Sequence, residues 1–374
     1  MSQKRENSDD YLSIFLNDTP LMDVRAPVEH KKGAFTNATN IPLLDDEQRE
    51  RIGIRYKKEG PEAALQLGYK LATDDIRQQR LNDWQTFVKE NPMGYICCFR
   101  GGQRSHITQA WLTESGYPYP LIKGGYKVLR RFLIDEMEQS TEDCDLIILS
   151  GKTGTGKTRL IHKISDSIDL EGLANHRGSS FGRRQGGQPG QIDFEHKLSV
   201  DFLKHRHHKK GRPVLLEDES KLIGRCSLPQ ELRDKMQLSP LILLEETIEG
   251  RVEIGLQEYV TDNLTDCVQA YGDEEGFIQF AEGITDSLQR IRRRLGGERY
   301  QELSDILSSA IHSHRMNGSI DGYRPLIEAL LSGYYDPMYD YQLKQKQGKI
   351  IFKGTRQEIL EAYPTLVTSQ EGGI

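Results

Sequence analysis

Two short stretches carry residue types and spacings that do chemistry. Gly151-Lys152-Thr153-Gly154-Thr155-Gly156-Lys157-Thr158 fits G-x-x-x-x-G-K-[ST]. Gly151, Gly154 and Gly156 let backbone N–H groups turn inward around phosphate oxygens, Lys157 neutralises the terminal phosphates, and the Thr158 hydroxyl offers an oxygen to Mg²⁺. Such a loop reads a phosphate chain and a metal, not a base. The second stretch is Cys97-Cys98-Phe99-Arg100-Gly101-Gly102-Gln103-Arg104-Ser105. A helix N-terminus together with Arg100 or Arg104 is expected to lower a thiol pKa there and favour the thiolate. The same cradle would hold an anionic persulfide, perselenide or phosphate. Cys98 and Arg104 form C-x5-R, the spacing of a loop that wraps a phosphate dianion in cysteine-based phosphate hydrolysis. The competing chemistry is sulfur or selenium transfer on one cysteine. Spacing leaves both open, beside a third reading as two buried cysteines at a strand end.

Other groups stand near these loops in the chain. Glu217 and Asp218 close an apolar strand, Val214-Leu215-Leu216, and are placed to hold Mg²⁺ or a diphosphate; solvated charge is the alternative. Arg177, Arg183 and Arg184 lie on a Gly-rich stretch, 176–190, read as a long mobile loop. Arg206, Lys209 and Lys210 sit in one basic cluster, and Arg290, Arg292, Arg293 and Arg294 in another on a helix. These match the phosphates of an RNA, which makes binding salt-dependent, or are solvated helix faces. His205, His207 and His208 lack a cysteine or carboxylate set at metal-site spacing, so no metal centre is assigned. The run Tyr334-Tyr335-Asp336-Pro337-Met338-Tyr339 either stacks on an unpaired base or packs in a core.

The elements that position these loops follow from apolar runs. Pro20–Val24 reads as a short strand, Asn40–Leu43 as a second extended piece and Gly94–Phe99 as a buried strand before the cysteine loop. A helix follows from near Arg104, and Gly124-Gly125-Tyr126 marks a turn before another. The stretch 45–90 is charged and helical. Asp135–Asp143 is the best boundary. Leu146-Ile147-Ile148-Leu149-Ser150 then opens a strand-loop-helix unit, with buried strands at Val214–Leu216 and Leu241–Leu244 and a mostly helical pattern from about 250. Cys144, Cys226 and Cys267 are isolated and read as structural.

Composition bounds the answer. A chain of 374 residues holds about two domains. Its net charge of -6 excludes a globally basic nucleic-acid coat but not a local basic groove. No run of about 18 apolar residues spans a membrane, and the N-terminus lacks a secretory h-region. Five cysteines, two adjacent, fit a reducing cytoplasm better than a disulfide framework.

Asp23-Val24-Arg25-Ala26-Pro27-Val28-Glu29, Gly33-Ala34 and Asn40-Ile41-Pro42-Leu43 resemble the opening of a rhodanese domain. Gly101–Ser105 and Gly124-Gly125-Tyr126 resemble its active loop and closing turn. Common rhodaneses have C-x4-R, and here the loop to Arg104 is longer; the helical stretch at about 45–90 is also an insertion. Both departures, with the fused P-loop domain, are similar to the tRNA 2-selenouridine synthase family over nearly the whole chain. Its most specific pieces are Ile76–Arg80, Cys97–His106, Asp169–Ser179, Leu216–Ser220 and Tyr334–Tyr339.

The resemblance implies an α/β chain, with a rhodanese-like domain at 1–138 and a P-loop NTPase-like domain at 139–374 that ends in additional helices. It implies a tRNA-modifying transferase acting on wobble 2-thiouridine. Geranyl diphosphate would S-geranylate the base, and selenophosphate, supplied by selenophosphate synthase, would then exchange sulfur for selenium. Cys97 would be the essential thiol, with Arg104 in its loop and Cys98, Arg100, Gly101 and Gly102 supporting it. Three rivals remain: an ATP-dependent tRNA sulfurtransferase or kinase, a non-enzymatic RNA-binding protein, and a phosphatase that needs Cys98.

Overall fold

In the computed structural model, which describes residues 5–370, the apolar runs form short parallel strands in two compact units. One unit extends to Ser140 and adds Ile192–Lys204; the other holds Thr141–Gln191 and continues from His205.

The first unit is built on β1 (Leu21–Asp23), β2 (Ala38–Asn40) and β3 (Tyr95–Cys97), parallel and ordered β2-β1-β3. Register sets Asp23 beside Cys97 on one side and Asn40 on the other. Side chains alternate along an extended chain. Cys97 therefore packs with Phe15, Phe35 and Tyr126, while Cys98 packs with Trp84, Trp111 and Leu121. The stretch at about 45–90 is two helices. The first, Asp46–Leu71, is capped by Asp45, which accepts from the Gln48 N–H at 2.8 Å, and bends at Gly60 (φ +85°) before Pro61. The second, Asp74–Glu90, buries Leu81, Trp84 and Phe87 on one face.

A helix from far along the chain, Gln191–His208, gives its middle to this unit. Asp193 accepts from the Ala34 N–H (2.7 Å), Glu195 pairs with Arg130 (3.0 Å), and the His196 ring lies 4.5 Å from that of Phe35. The Arg130 guanidinium can only donate and the Ala34 carbonyl can only accept. His196 is therefore neutral, with Nδ1–H donating to Ala34 (2.9 Å) and Nε2 accepting from Arg130 (3.1 Å). Burial holds its pKa down at about 4.

The second unit carries β4 (Leu146–Ser150), β5 (Ser167–Ile168), β6 (Val214–Glu217), a small hairpin of β7 (Leu222–Ile223) and β8 (Cys226–Ser227), then β9 (Leu241–Leu244) and β10 (Ile350–Gly354). The main sheet is parallel, in the order β10-β9-β4-β6-β5. Strands β4, β6 and β9 are buried at every residue, the pattern of a parallel sheet covered on both faces.

The region after 250 is helical from Ile248 to Lys344, but the chain then returns to the sheet as β10. This edge strand alternates exposure and is too short for its pattern to stand out. Residues 176–190 form a loop folded on itself. His176 bridges Arg183, the Arg177 N–H donates to Gly182 O (2.8 Å), and Asn175 holds the carbonyls of Gln185 (3.0 Å) and Gly187 (2.8 Å). Gly178, Gly186 and Gly187 supply the positive-φ turns this needs. Among the described residues no helix is long and apolar enough to cross a membrane.

Candidate functional site

Strand β4 ends at Ser150, and the chain winds through Gly154 (φ +83°) and Gly156 (φ +78°) into the helix Lys157–Ile161. A side chain at Gly151 would meet Thr155 Oγ1 at 2.7 Å and Leu244 O at 2.9 Å, so the turn is tightly wound. Lys157 Nζ donates to Gly151 O (3.0 Å). The wall is held by Arg251, which is buried, donates to Thr153 O (2.9 Å) and grips both oxygens of Asp336 (2.9 and 2.6 Å). Gly151, Lys157, Thr158, Arg177 and Tyr339 line a polar cavity of about 1060 Å³, its open mouth included. An apolar cavity adjoins it, lined by Phe181, Val260, Ile284, Leu326, Leu330 and Leu331. The two share Thr153, Gly154, Ser179, Tyr259 and Tyr335.

The acids beside Lys157 are not the pair singled out from the sequence. Glu217 is fully buried, accepts from the Leu170 N–H (2.8 Å) and does not line the cavity. Burial first, then Asp169, Glu171 and Glu219, push its pKa far up. Asp218 does line the cavity, but it is taken by Ser150 Oγ (2.6 Å) and Lys346 Nζ (2.6 Å). Glu171 and Glu219 stand there instead, hydrogen-bonded to each other. Thr158 Oγ1 donates to Glu171 at 3.1 Å. Burial raises Glu171, and burial plus Glu171 push Glu219 up to about 8; Lys157 opposes both shifts. The pair therefore carries a proton near neutral pH. Both residues lie in stretches singled out above, but no local spacing ties either to Lys157.

The cysteine loop runs from β3 into the helix Gln103–Glu114 through Gly101 (φ +61°). It closes on Gly124–Gly125. A Cβ on Gly125 (φ +60°) would collide with the Cys98 carbonyl oxygen and the Gly101 nitrogen. The Tyr126 and Lys127 N–H groups donate to Cys98 O (2.8 Å) and Phe99 O (3.0 Å).

Cys97 is buried, and the expected low thiol pKa is overturned. Burial, then Asp23 and Cys98, push the Cys97 thiol well above its ordinary value, while Arg25 opposes them. Arg104 pairs with Glu29 through both nitrogens, and Arg100 lies 5.9 Å from the Phe99 ring centroid. The cation near the thiol is Arg25, bound to Asp23 (2.6 Å) and 3.8 Å from the Tyr126 ring centroid. Asp23, Arg25 and Tyr126 were visible only as parts of the rhodanese-like motifs. Cys98 faces the tryptophan cluster, so the C-x5-R phosphatase geometry is not formed.

The basic residues divide. Arg177 lines the phosphate cavity, and Arg183 and Arg184 line another. Arg206 pairs with Asp143 (2.8 Å) and Lys209 with Asp166 (3.7 Å). Lys210 and Arg293 are exposed, and Arg292 lies 5.1 Å from the Tyr300 ring centroid. In the tyrosine run, Tyr335 is buried and Tyr339 reaches Ser150 Oγ at 2.9 Å. His205 is bonded to Arg212 O (2.9 Å). Among the described residues no three His, Cys, Asp or Glu side chains group to hold a metal ion.

A central buried strand, a wound glycine loop and Lys157-Thr158 define the second unit as a P-loop domain. The family model described as the tRNA 2-selenouridine synthase AAA domain matches residues 144–369. The chain is 53% identical over 357 residues to the tRNA 2-selenouridine synthase of Marinobacter nauticus, covering 96% of this chain and 97% of that one. It is 51% identical to that of Alcanivorax borkumensis (95% and 98% covered) and 47% identical to that of Pseudomonas syringae pv. syringae (95% and 97%). The chain belongs to the tRNA 2-selenouridine synthase family.

Proposed function

We propose that this protein converts wobble 2-thiouridine of tRNA to 2-selenouridine in two steps. Geranyl diphosphate first S-alkylates the base, and selenium from selenophosphate then replaces the alkylated sulfur. The observation that carries this reading is the continuity of the polar phosphate cavity with the apolar one. A diphosphate at Lys157 would leave its isoprenoid chain among Leu326, Leu330 and Leu331. The ATP-driven rival would put a ribose and adenine in a cavity lined by no carboxylate or amide side chain.

In the first step the thiouridine sulfur attacks the geranyl carbon and the carbon–oxygen bond breaks. The amides of Gly151–Thr158 and Lys157 take up charge growing on the departing diphosphate. Mg²⁺ fits Thr158 and Glu171, because it is commonly held by one or two protein groups with phosphate oxygens and water; it would neutralise that charge. Alkylation turns sulfur into a better leaving group. In the second step selenium enters at the ring carbon and geranylthiolate leaves. Water takes the phosphoryl group of selenophosphate as phosphate, and the selenide released displaces the thiolate; we assign this step to the cysteine loop, with Cys97 steering the selenium, Arg104 in the same loop and Cys98, Arg100, Gly101 and Gly102 shaping the turn.

The first unit, the chain to about residue 138 together with Ile192–Lys204, is then a rhodanese-like domain, and the P-loop domain takes the rest from 139. The working compartment is the cytoplasm, where selenophosphate synthase supplies the donor. Nucleoside mass spectrometry tests the scheme on tRNA carrying 2-thiouridine. A geranyl mass gain after geranyl diphosphate, then sulfur-to-selenium exchange after selenophosphate, is the expected result. Modification that needs ATP instead would sink it.

A further inference from the structure

A third cavity, of about 830 Å³ with its open mouth, adjoins the apolar one and shares Phe181, Tyr259 and Ile284 with it. Arg183, Arg184 and Arg290 line it. Among the described residues none of these guanidinium groups has a carboxylate within ion-pair distance. Arg290 donates to Ser180 O (3.0 Å) and Ser287 Oγ (2.6 Å), both neutral, and Arg184 Nε is buried without an acceptor. Their crowding is felt nearby. Burial and the three arginines together depress the pKa of buried His176, whose Nδ1 also lacks a partner. Glu282 and Asp286 line the cavity too, but neither closes an ion pair with the arginines.

Three cations gathered with no closed ion pair, and with Asp286 only partly offsetting Arg290, cost free energy that a bound anion recovers, and guanidinium groups match phosphate oxygens in a bidentate way. The rest of the lining suits a nucleotide better than bare phosphate. Phe181 offers an aromatic surface, Asn263 and Gln279 offer amides for a base edge, and the two carboxylates can accept from ribose hydroxyls or an exocyclic amine. Bases are open to such contacts only where the strand is unpaired. We propose that this cleft docks an unpaired nucleotide of the RNA substrate, with its phosphodiester held by Arg183, Arg184 and Arg290. The proposal rests on tRNA being the substrate.

The test is fluorescence-anisotropy binding of an anticodon stem-loop carrying 2-thiouridine to the full chain across a salt series. In the double variant Arg183→Gln/Arg290→Gln, affinity should fall about tenfold or more, and the slope of log K against log salt should shrink by about 1.5 to 2, the loss of two phosphate contacts. Arg290→Gln alone, at an exposed helix position, should give about half that slope change and guards against misfolding of the double variant. Arg324→Gln, which breaks the surface pairs with Glu253 and Asp321, should leave the slope unchanged. Unchanged binding in the arginine variants overturns the proposal. So does an equal loss for a blunt RNA duplex, which marks a general field, or displacement of the stem-loop by UMP alone, which marks a free-nucleotide site. Wild-type protein with no affinity for the stem-loop sinks the tRNA reading itself, and the cleft assignment with it.

Discussion

The phosphate loop and the cysteine loop share a plan: a buried parallel strand, a glycine turn, then a helix. They are finished in opposite ways. The phosphate loop opens onto cavities, and beside it two carboxylates share a proton while Arg177 lines the wall. The cysteine loop is sealed against Gly124–Gly125, and the cation beside its thiol and the arginine of its helix are matched within the fold, Arg25 to Asp23 and Arg104 to Glu29. A similar local pattern thus gives a site prepared for an incoming anion in one unit and a neutral, shielded thiol in the other. The difference comes from what the tertiary fold sets across from each loop: Asp23 opposite Cys97, and Lys157 close to Glu171 and Glu219.

The sharpest way to break this comparison is to remove one chemistry at a time. Lys157→Ala should slow geranylation about a thousandfold, as loss of a key charge-stabilising group does, yet leave selenium exchange on pre-geranylated tRNA intact. Cys97→Ser should do the reverse. Single-step mass-spectrometric assays read both, and a shared loss of both steps in either variant would end the two-site picture.

Gly125→Ala tests the seal. It forces a Cβ into the cysteine loop at positive φ and should destabilise the first unit by about 2 to 4 kcal/mol. The only two tryptophans, Trp84 and Trp111, lie in that unit, so tryptophan fluorescence during urea unfolding reports on it alone.

The same signal reads the pH dependence set by His196. Its folded pKa lies near 4, below the ordinary 6.5, so the unfolded chain takes the proton first. This contribution is complete above pH 6.5 and is lost as pH falls toward 4, by about 3 kcal/mol in all. A flat urea midpoint across that window would contradict the neutral, doubly bonded ring. The smallest effect is on the resting thiol. Cys97 in the native protein should react with iodoacetamide at pH 7.5 at least about tenfold more slowly than in the unfolded chain, and faster as pH rises. Rapid labelling at neutral pH would show an open, anionic loop instead.

What was legible in the sequence were features carried by contiguous residues. Strands β3, β4, β6 and β9, the phosphate loop, and the insertion at about 45–90 all announce themselves through apolar runs or a fixed motif. What escaped depends on residues distant in the chain. Glu171 reaches Thr158 only because β5 pairs with β6 and turns the next segment toward the loop. Arg104 was read as an activator of the thiol, yet Glu29, 75 residues earlier, claims it. Strand β10 escaped because an edge strand alternates exposure, and one short alternating run among long helices gives little signal. Arg290 was grouped with Arg292, Arg293 and Arg294 as one basic helix face; that it shares a cleft with Arg183 and Arg184 lay outside that local pattern.

The helix Gln191–His208 has a consequence for modularity. The first unit is not a continuous run of chain, because Ile192–Lys204 completes it with Asp193, Glu195 and His196. A gene segment ending at Ser140 would encode a domain with a missing wall. Recombination could not pass this unit between proteins as a simple N-terminal cassette. Loss of the P-loop segment would strip the cysteine domain of the Asp193, Glu195 and His196 contacts as well, which ties the two halves together in sequence.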